Sequence, residues 1–240
     1  MSVVVGRSDL QAVEERGARD VLAWAVDTFS PRIALVSSFG AEGVVLIDML
    51  TRIDRSARII ALDTGRLHAE THAVMDAIRE RYGVAIQVLF PKSEAVEALV
   101  RERGVNLFYK SVENRKECCG VRKVEPLGRA LTGLDAWITG LRREQAVTRA
   151  EVRKAAVDTD HGGIVKVNPL ADWSWDQVWE YIRAHDVPYN ALHDQGYPSI
   201  GCAPCTRPVV AGEDLRAGRW WWEHGAAVKE CGLHSRGLRP

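Results

Sequence analysis

The sequence predicts an α/β protein with a doubly wound, mostly parallel sheet, and three observations carry that expectation. Short aliphatic runs recur at residues 33–36, 59–62, 85–90 and 136–139. The first three are each followed by a turn of small or charged residues and then by a stretch of helical periodicity. Strands alternating with helices favour parallel pairing, because a parallel connection must cross back over the sheet. At 240 residues and 46% hydrophobic composition, the chain can cover both faces of such a sheet.

Taken in order, Ser8-Asp9-Leu10-Gln11 is a capping-box pattern. Val13, Val21, Leu22, Ala25, Val26 and Phe29 follow at helical spacing, so a single first helix is expected, ended by Pro31. Residues 33–36 read as a buried strand. Ser37-Ser38-Phe39-Gly40-Ala41-Glu42-Gly43 then forms a turn before a helix bearing Val44, Val45, Ile47 and Leu50. Free N–H groups at that helix start suit a phosphate or sulfate, although an ordinary tight βα turn explains the residues equally well. The unit repeats as strand 59–62, turn Asp63-Thr64-Gly65-Arg66 and helix 68–82, then as strand 85–90 and helix 93–103. Strand 136–139 runs into Gly140-Leu141-Arg142-Arg143. Ligands of doubly wound sheets sit at the carboxyl ends of the strands, so turns 37–42, 63–66 and 140–143 should share one crevice. Neither a Gly-x-Gly-x-x-Gly nor a Walker pattern is present, which argues against a dinucleotide site or a P-loop NTPase.

Beyond Gly163, residues 164–167 read as a strand, and Ser174 can cap a helix through Trp175, Val178, Trp179 and Ile182. The spacing of those tryptophans assigns them to the core rather than to a ligand. Pro188, Pro198, Pro204 and Pro208 keep the chain irregular up to Val209. Two segments are expected, a body over 1–210 that carries the paired cysteines and a C-terminal segment over 211–240 that ends in a flexible tail.

Lysine plus arginine balance aspartate plus glutamate at 32 each, which points to neither nucleic acid nor membrane. The N-terminus lacks the apolar core of a signal peptide, and no run nears the roughly 18 apolar residues of a membrane helix. A cytoplasmic protein is expected, with its five cysteines serving as ligands or nucleophiles rather than as a disulfide framework.

Those cysteines fall as Cys118-Cys119, Cys202-x-x-Cys205 and a lone Cys231. Cys202-x-x-Cys205 alone fits a redox dithiol, half a zinc site or half an iron–sulfur site. The adjacent pair discriminates better. Sequential Cα atoms are about 3.8 Å apart, an awkward spacing for two ligands of one tetrahedral zinc. Separate corners of a four-iron cube accept neighbouring thiolates more readily. A [4Fe–4S] cluster on Cys118, Cys119, Cys202 and Cys205 is therefore favoured, with zinc as the alternative. Arg115, Lys116, Arg122, Lys123 and Arg207 flank these cysteines and would balance an anionic group. Cys231, with Lys229 and His234 nearby, reads as a nucleophile. Attack by a thiolate on an anion needs cations, for which Lys123, Arg142, Arg143, Arg216 and Arg219 are candidates.

On these residues the chain resembles the assimilatory adenylyl-sulfate (APS) reductases, within the wider APS/PAPS reductase family. The resemblance rests on Ser37-Ser38-Phe39-Gly40-Ala41-Glu42, Leu62-Asp63-Thr64-Gly65, Glu117-Cys118-Cys119 and Arg122-Lys123-Val124-Glu125-Pro126-Leu127. It continues through Thr139-Gly140-Leu141-Arg142-Arg143, Lys166-Val167-Asn168-Pro169-Leu170, residues 196–206 and Lys229-Glu230-Cys231-Gly232-Leu233-His234. It implies an adenine-nucleotide α-hydrolase-like fold, the cluster on the four paired cysteines, and Cys231 as the catalytic nucleophile. Cys231 would attack the sulfur of APS, release AMP and become S-sulfonated, and thioredoxin would then release sulfite. By the same resemblance Lys123, Arg216 and Arg219 would contact the phosphosulfate, and Arg142 and Arg143 the nucleotide. Ser37 and Ser38 would line a modified phosphate loop, and Leu62 and Thr64 would hold the adenosine. Ser37-Ser38-Phe39-Gly40 is closer to the PAPS-specific branch, so a cluster-containing PAPS or dual APS/PAPS reductase is the alternative. Trp220-Trp221-Trp222 is read as a packing surface for the tail. A homo-oligomer is left open by the sequence.

Overall fold

The computed structural model describes residues 5–223, 230 and 232–234. In chain order the elements are α1 (Arg7–Ala12), α2 (Ala18–Phe29), β1 (Ile33–Ser37), α3 (Ala41–Ile53), β2 (Ile59–Leu62), α4 (Ala69–Tyr82) and β3 (Ile86–Leu89). Then come α5 (Ser93–Arg103), α6 (Val112–Cys119), α7 (Glu125–Leu131), β4 (Ala136–Ile138), β5 (Ala155–Asp158), β6 (Ile164–Val167) and α8 (Trp175–Ala184). The strands form one sheet in the order β3-β2-β1-β4-β6-β5, parallel throughout except for the antiparallel pair β5–β6. The doubly wound expectation is met.

Register explains how the sheet holds its layers. Leu35 lies opposite both Ile59 and Ile138, and Ile138 lies opposite Val167, so one apolar row crosses the sheet. These residues pack in a single core with Val44, Ile47, Val178 and Ile182 from α3 and α8. Alternate residues point the other way, as strand geometry requires. Ala34, Ile60 and Trp137 meet Leu127, Ala130 and Leu131 of α7 on the opposite face. Burying each large aliphatic side chain contributes about 1.5–3 kcal/mol. A buried carboxylate pins the first layer: Asp48 of α3 accepts from Tyr82 of α4 at 2.9 Å and from Tyr181 of α8 at 2.7 Å.

Three features differ from the sequence reading. The first helix is two, because Gly17 leaves the helical region and caps α2, while Gly6 rather than Ser8 caps α1. A glycine inside a helix costs about 1 kcal/mol relative to alanine, so the break falls there at little expense. The edge strand β5 is also new. Its Ala155-Ala156 start has little strand propensity, and pairing with β6 supplies what the local sequence lacks.

The third difference is a helical stretch over 112–131 that carries Cys118 and Cys119, with a π-helical turn over Gly120–Val124 between α6 and α7. Glu125 N–H reaches back five residues to the Gly120 carbonyl. Pro126 follows at the start of α7; lacking an N–H, it cannot continue an α-helical ladder, and the widened turn absorbs the mismatch.

Candidate active site

The strand order reverses between β1 and β4: the chain moves from β1 outward to β2 and from β4 outward to β6 on the other side. The carboxyl ends of these two strands diverge around a crevice, the usual ligand position in such sheets. Ser37 and Ser38 line one wall, and Thr139, Gly140 and Arg142 line the other. Ser37 Oγ accepts the Phe39 N–H at 3.0 Å, and Phe39 sits in the left-handed region at φ 57° while fully buried. Such a conformation costs roughly 1–3 kcal/mol and persists only where packing imposes it. It turns the chain so that Gly40 caps α3, placing the start of that helix in the crevice wall. Gly140 is needed for the close approach of the walls, since a Cβ there would lie 2.9 Å from Glu42 Cβ.

Leu62, Lys123, Arg216 and Arg219 line the same crevice, joining the two serines and Arg142. Arg142 is almost fully buried. It donates to Glu42 Oε1 at 2.9 Å and to the Trp173 carbonyl at 3.1 Å, and lies over the Trp175 ring at 5.5 Å. Arg219 donates to Ser199 Oγ and the Ile200 carbonyl, both at 3.3 Å, and packs over Trp220 at 4.7 Å. Trp175 and Trp179 are half-buried and pack against the main core, as their spacing implies, and Trp175 also lines the crevice wall beside Arg142.

The structure does not bring Arg143 into the crevice. Its backbone N–H is fixed to the Ala171 carbonyl, and its guanidinium turns to Glu14 and the Val152 carbonyl on another surface. Thr64 is also displaced from the expected position. It lies behind the crevice, with Oγ1 3.2 Å from Cys202 Sγ and accepting the Arg66 N–H at 3.2 Å.

Behind Lys123 a small cavity is lined by Cys118, Cys119, Cys202 and Cys205, together with Arg66, Phe108, Arg115 and Arg122. Lys123 lines both this cavity and the crevice. The four cysteines are free thiols. Burial raises the Cys118 pKa, and burial plus the neighbouring Cys202 pushes Cys205 up to about 12. Cys202 goes the other way. Burial opposes its ionisation, but Lys123, the Thr64 hydroxyl, Arg219 and Arg122 together outweigh it and lower the pKa.

Among the described residues, no three His, Cys, Asp or Glu side chains are gathered closely enough to hold a metal ion. The four thiols surround one cavity without closing a ligand set around a single ion. The donor set nonetheless fits an anionic, thiolate-held group. The cations there outnumber carboxylates, and Arg122 Nε is buried without a hydrogen-bond acceptor among the described residues.

Cys231 lies outside the described residues, as does Lys229. Its neighbours Glu230, Leu233 and His234 line the crevice. Trp220, with φ 44°, is buried with Cys118, Cys202 and Cys205, and Trp222 packs against the same cluster; most of the tail this run was expected to support lies outside the described residues. Trp222 packs on Phe108 and Tyr109, and Trp221 is exposed. Sequence reasoning missed Arg149, His193 and Trp137, all of which line the crevice. Nothing in the local pattern around Arg149 marks it, because its partner Glu230 lies far along the chain.

Residues 32–208 match the phosphoadenosine phosphosulfate reductase domain. A Burkholderia cepacia protein described as adenosine 5'-phosphosulfate reductase is 50% identical over 221 residues, which cover 92% of this chain and 88% of that protein. A Candida auris phosphoadenylyl-sulfate reductase crystallised with phosphate superposes with a TM-score of 0.73 at 30% identity, covering 86% of this chain and all of that one. Candida glabrata FMN adenylyltransferase in complex with ATP shares the fold at a TM-score of 0.56 and 14% identity, covering 88% of this chain and 70% of that one. The crevice at the β1–β4 switch point, the paired cysteines behind it and these matches lead to one conclusion: the chain belongs to the phosphoadenosine phosphosulfate reductase family.

Proposed function

We propose that this chain reduces adenylyl sulfate to sulfite and AMP in sulfate assimilation, with Cys231 as the nucleophile and thioredoxin as the electron donor. One observation carries the reading. The start of α3, the cations Lys123, Arg142, Arg216 and Arg219, and the residues on either side of Cys231 all line a single crevice. A nucleotide bearing an activated sulfate would lay its phosphate against the Ser37-Ser38 turn and its sulfonate among the cations. The Cys231 thiolate forms a bond to the sulfur, the bridging O–S bond breaks, and AMP leaves with the electron pair on its phosphate oxygen. A thioredoxin thiolate then attacks the Cys231 sulfur and expels sulfite. Its second thiol resolves the mixed disulfide, so thioredoxin is oxidised and Cys231 is returned as a thiolate.

Lys123 and the arginines offset the repulsion between thiolate and anion, and Arg142, held by Glu42 and stacked on Trp175, acts as a fixed wall beside the nucleotide. Cys118, Cys119, Cys202 and Cys205 would hold a [4Fe–4S] cluster. When bound, that group supplies a tie between the α6–α7 stretch and the Cys202 loop, and negative charge beside Lys123.

Anaerobically purified protein mixed with APS or with PAPS, without reductant, tests the reading by intact mass. A single sulfonate adduct on Cys231 with release of AMP is expected from APS, and none from a Cys231→Ser variant that keeps its iron. An adduct from PAPS alone would reassign the substrate, and no adduct from either would end the covalent mechanism.

A further inference from the structure

Cys231 is bracketed by two anchors that the chemistry above does not use. Upstream, the Glu230 carboxylate receives a bidentate pair from Arg149, with Nε to Oε1 and Nη2 to Oε2 both at 3.0 Å. Thr148 Oγ1 and Arg216 Nη2 add contacts at 3.3 Å, and Arg115 Nη1 donates to the Glu230 carbonyl at 2.6 Å. Glu230 and Arg149 are both buried. Downstream, the His234 ring stacks on Trp137, with centroids 5.8 Å apart and planes 20° from parallel. Its Nδ1 is 3.2 Å from Lys166 Nζ, which itself lies 4.8 Å over the same indole. Trp137 is held in turn by its Nε1–H donated to Asp158 at 3.0 Å.

The anchors are four residues apart, a span of at most about 14 Å when fully extended. A chain tied at both ends over so short a span confines everything between them. Confinement converts a nucleophile on a loose segment into a positioned one, and misplacement by about 1 Å can cost a hundredfold in rate. The upstream anchor also shares Arg216 with the proposed phosphosulfate site, so the grip on Glu230 fixes the residue immediately before the nucleophile next to that site.

We propose that Arg149 and Lys166 are positioning residues that seat the Cys231 segment in the crevice through Glu230 and His234. This rests on the function proposed above. The bidentate pair and the stacked, hydrogen-bonded imidazole form a two-point latch, and neither Arg149 nor Lys166 needs to touch the substrate. A competing role for the upstream pair is a plug, in which Glu230 occupies the anion site and must leave before substrate enters. The two roles predict opposite changes.

The test uses full-length, anaerobically purified Arg149→Met, Lys166→Met and the isosteric Glu230→Gln, with Arg149→Lys as the conservative control. Single-turnover adduct formation is followed against APS concentration. The latch predicts a maximal rate at least tenfold lower in Arg149→Met, Lys166→Met and Glu230→Gln. The half-saturating APS concentration should stay within twofold of wild type, and Arg149→Lys should recover part of the rate. A second arm measures alkylation of Cys231 by iodoacetamide without substrate, read by peptide mass. Loss of either anchor should raise that rate at least threefold. Tighter APS binding with an equal or faster rate in Glu230→Gln would establish the plug and overturn the latch; unchanged adduct and alkylation rates would overturn the latch as well. A wild-type chain that forms no adduct would remove the proposed function instead, and the alkylation arm would still decide whether the anchors hold residue 231.

Discussion

Replacing Arg115 with methionine should be among the most damaging single changes to stability in this chain. Arg115 and Glu223 are both inaccessible, with side-chain exposures of 0% and 2%. Two of the arginine's donors reach the Glu223 carboxylate at 2.7 and 3.0 Å, a third reaches the Glu230 carbonyl at 2.6 Å, and the guanidinium lies 4.5 Å from the Trp220 ring centre. Methionine keeps much of the apolar stem but leaves the buried carboxylate with no charged partner among the described residues. Breaking a buried ion pair from one side costs about 3–5 kcal/mol. At this chain length each kcal/mol moves the melting temperature by about 2–4 °C, so a fall of roughly 6–20 °C is expected. The double variant Arg115→Met/Glu223→Leu should regain most of it, because an apolar pair of similar size replaces a buried ion pair at little net cost. What remains is the unfulfilled Glu230 carbonyl, about 1 kcal/mol. Scanning calorimetry on wild type and both variants, matched for iron content, measures this. A single variant melting within 2 °C of wild type, or a double variant as unstable as the single, would refute the assignment of Glu223 as a carboxylate that depends on Arg115.

Two further outcomes follow from the same geometry. Burial lowers the Lys166 pKa from an ordinary 10.5 to about 8, against the pull of Asp158. The unfolded chain therefore binds the extra proton between pH 8 and 10.5, and the stability that Lys166 withholds below pH 8 returns as pH rises through that window, by up to about 3 kcal/mol. Urea unfolding at pH 7.5, 9 and 10 should show a rise in wild type relative to Lys166→Met, and parallel pH profiles would contradict it. Gly140→Ala should force the β4 turn away from Glu42, whose Cβ would lie 2.9 Å from the new methyl group, and so disturb the Arg142–Glu42 pair. About tenfold weaker AMP binding by calorimetry is expected, and wild-type affinity would show that the walls of the crevice can part without consequence.

Much of the fold was legible in the chain. The strands β1, β2 and β6, the helix α5 and the Ser174 cap fell where the apolar period and capping residues put them. These signals are local: a period of two or of 3.6 is written in consecutive residues and survives whatever the chain later packs against. Two elements escaped for the converse reason. β5 is a strand because β6 lies beside it, and Gly17 breaks the first helix where Glu14 turns to Arg143 and the Lys154 N–H.

Residue type and order alone put the chemical groups on offer in view: a small-residue turn ahead of a helix, two cysteine pairs, a lone Cys231 and a supply of cations. Residue type and near-neighbour spacing are enough to recognise those. Which of them meet is set by the fold in three dimensions. Arg142 and Arg143 are adjacent in sequence, yet one enters the crevice and the other pairs with Glu14, because a side chain's direction depends on the backbone that fixes it. Thr64 belongs to the cysteines rather than to the crevice for the same reason. Arg149 and Trp137 carry no local mark of such a role, and Lys166 is marked only as part of the Lys166–Leu170 stretch, since what makes all three significant is a carboxylate and an imidazole far along the chain. Contacts of that kind are set by how the sheet and its connections close in space, and no stretch of neighbouring residues encodes them.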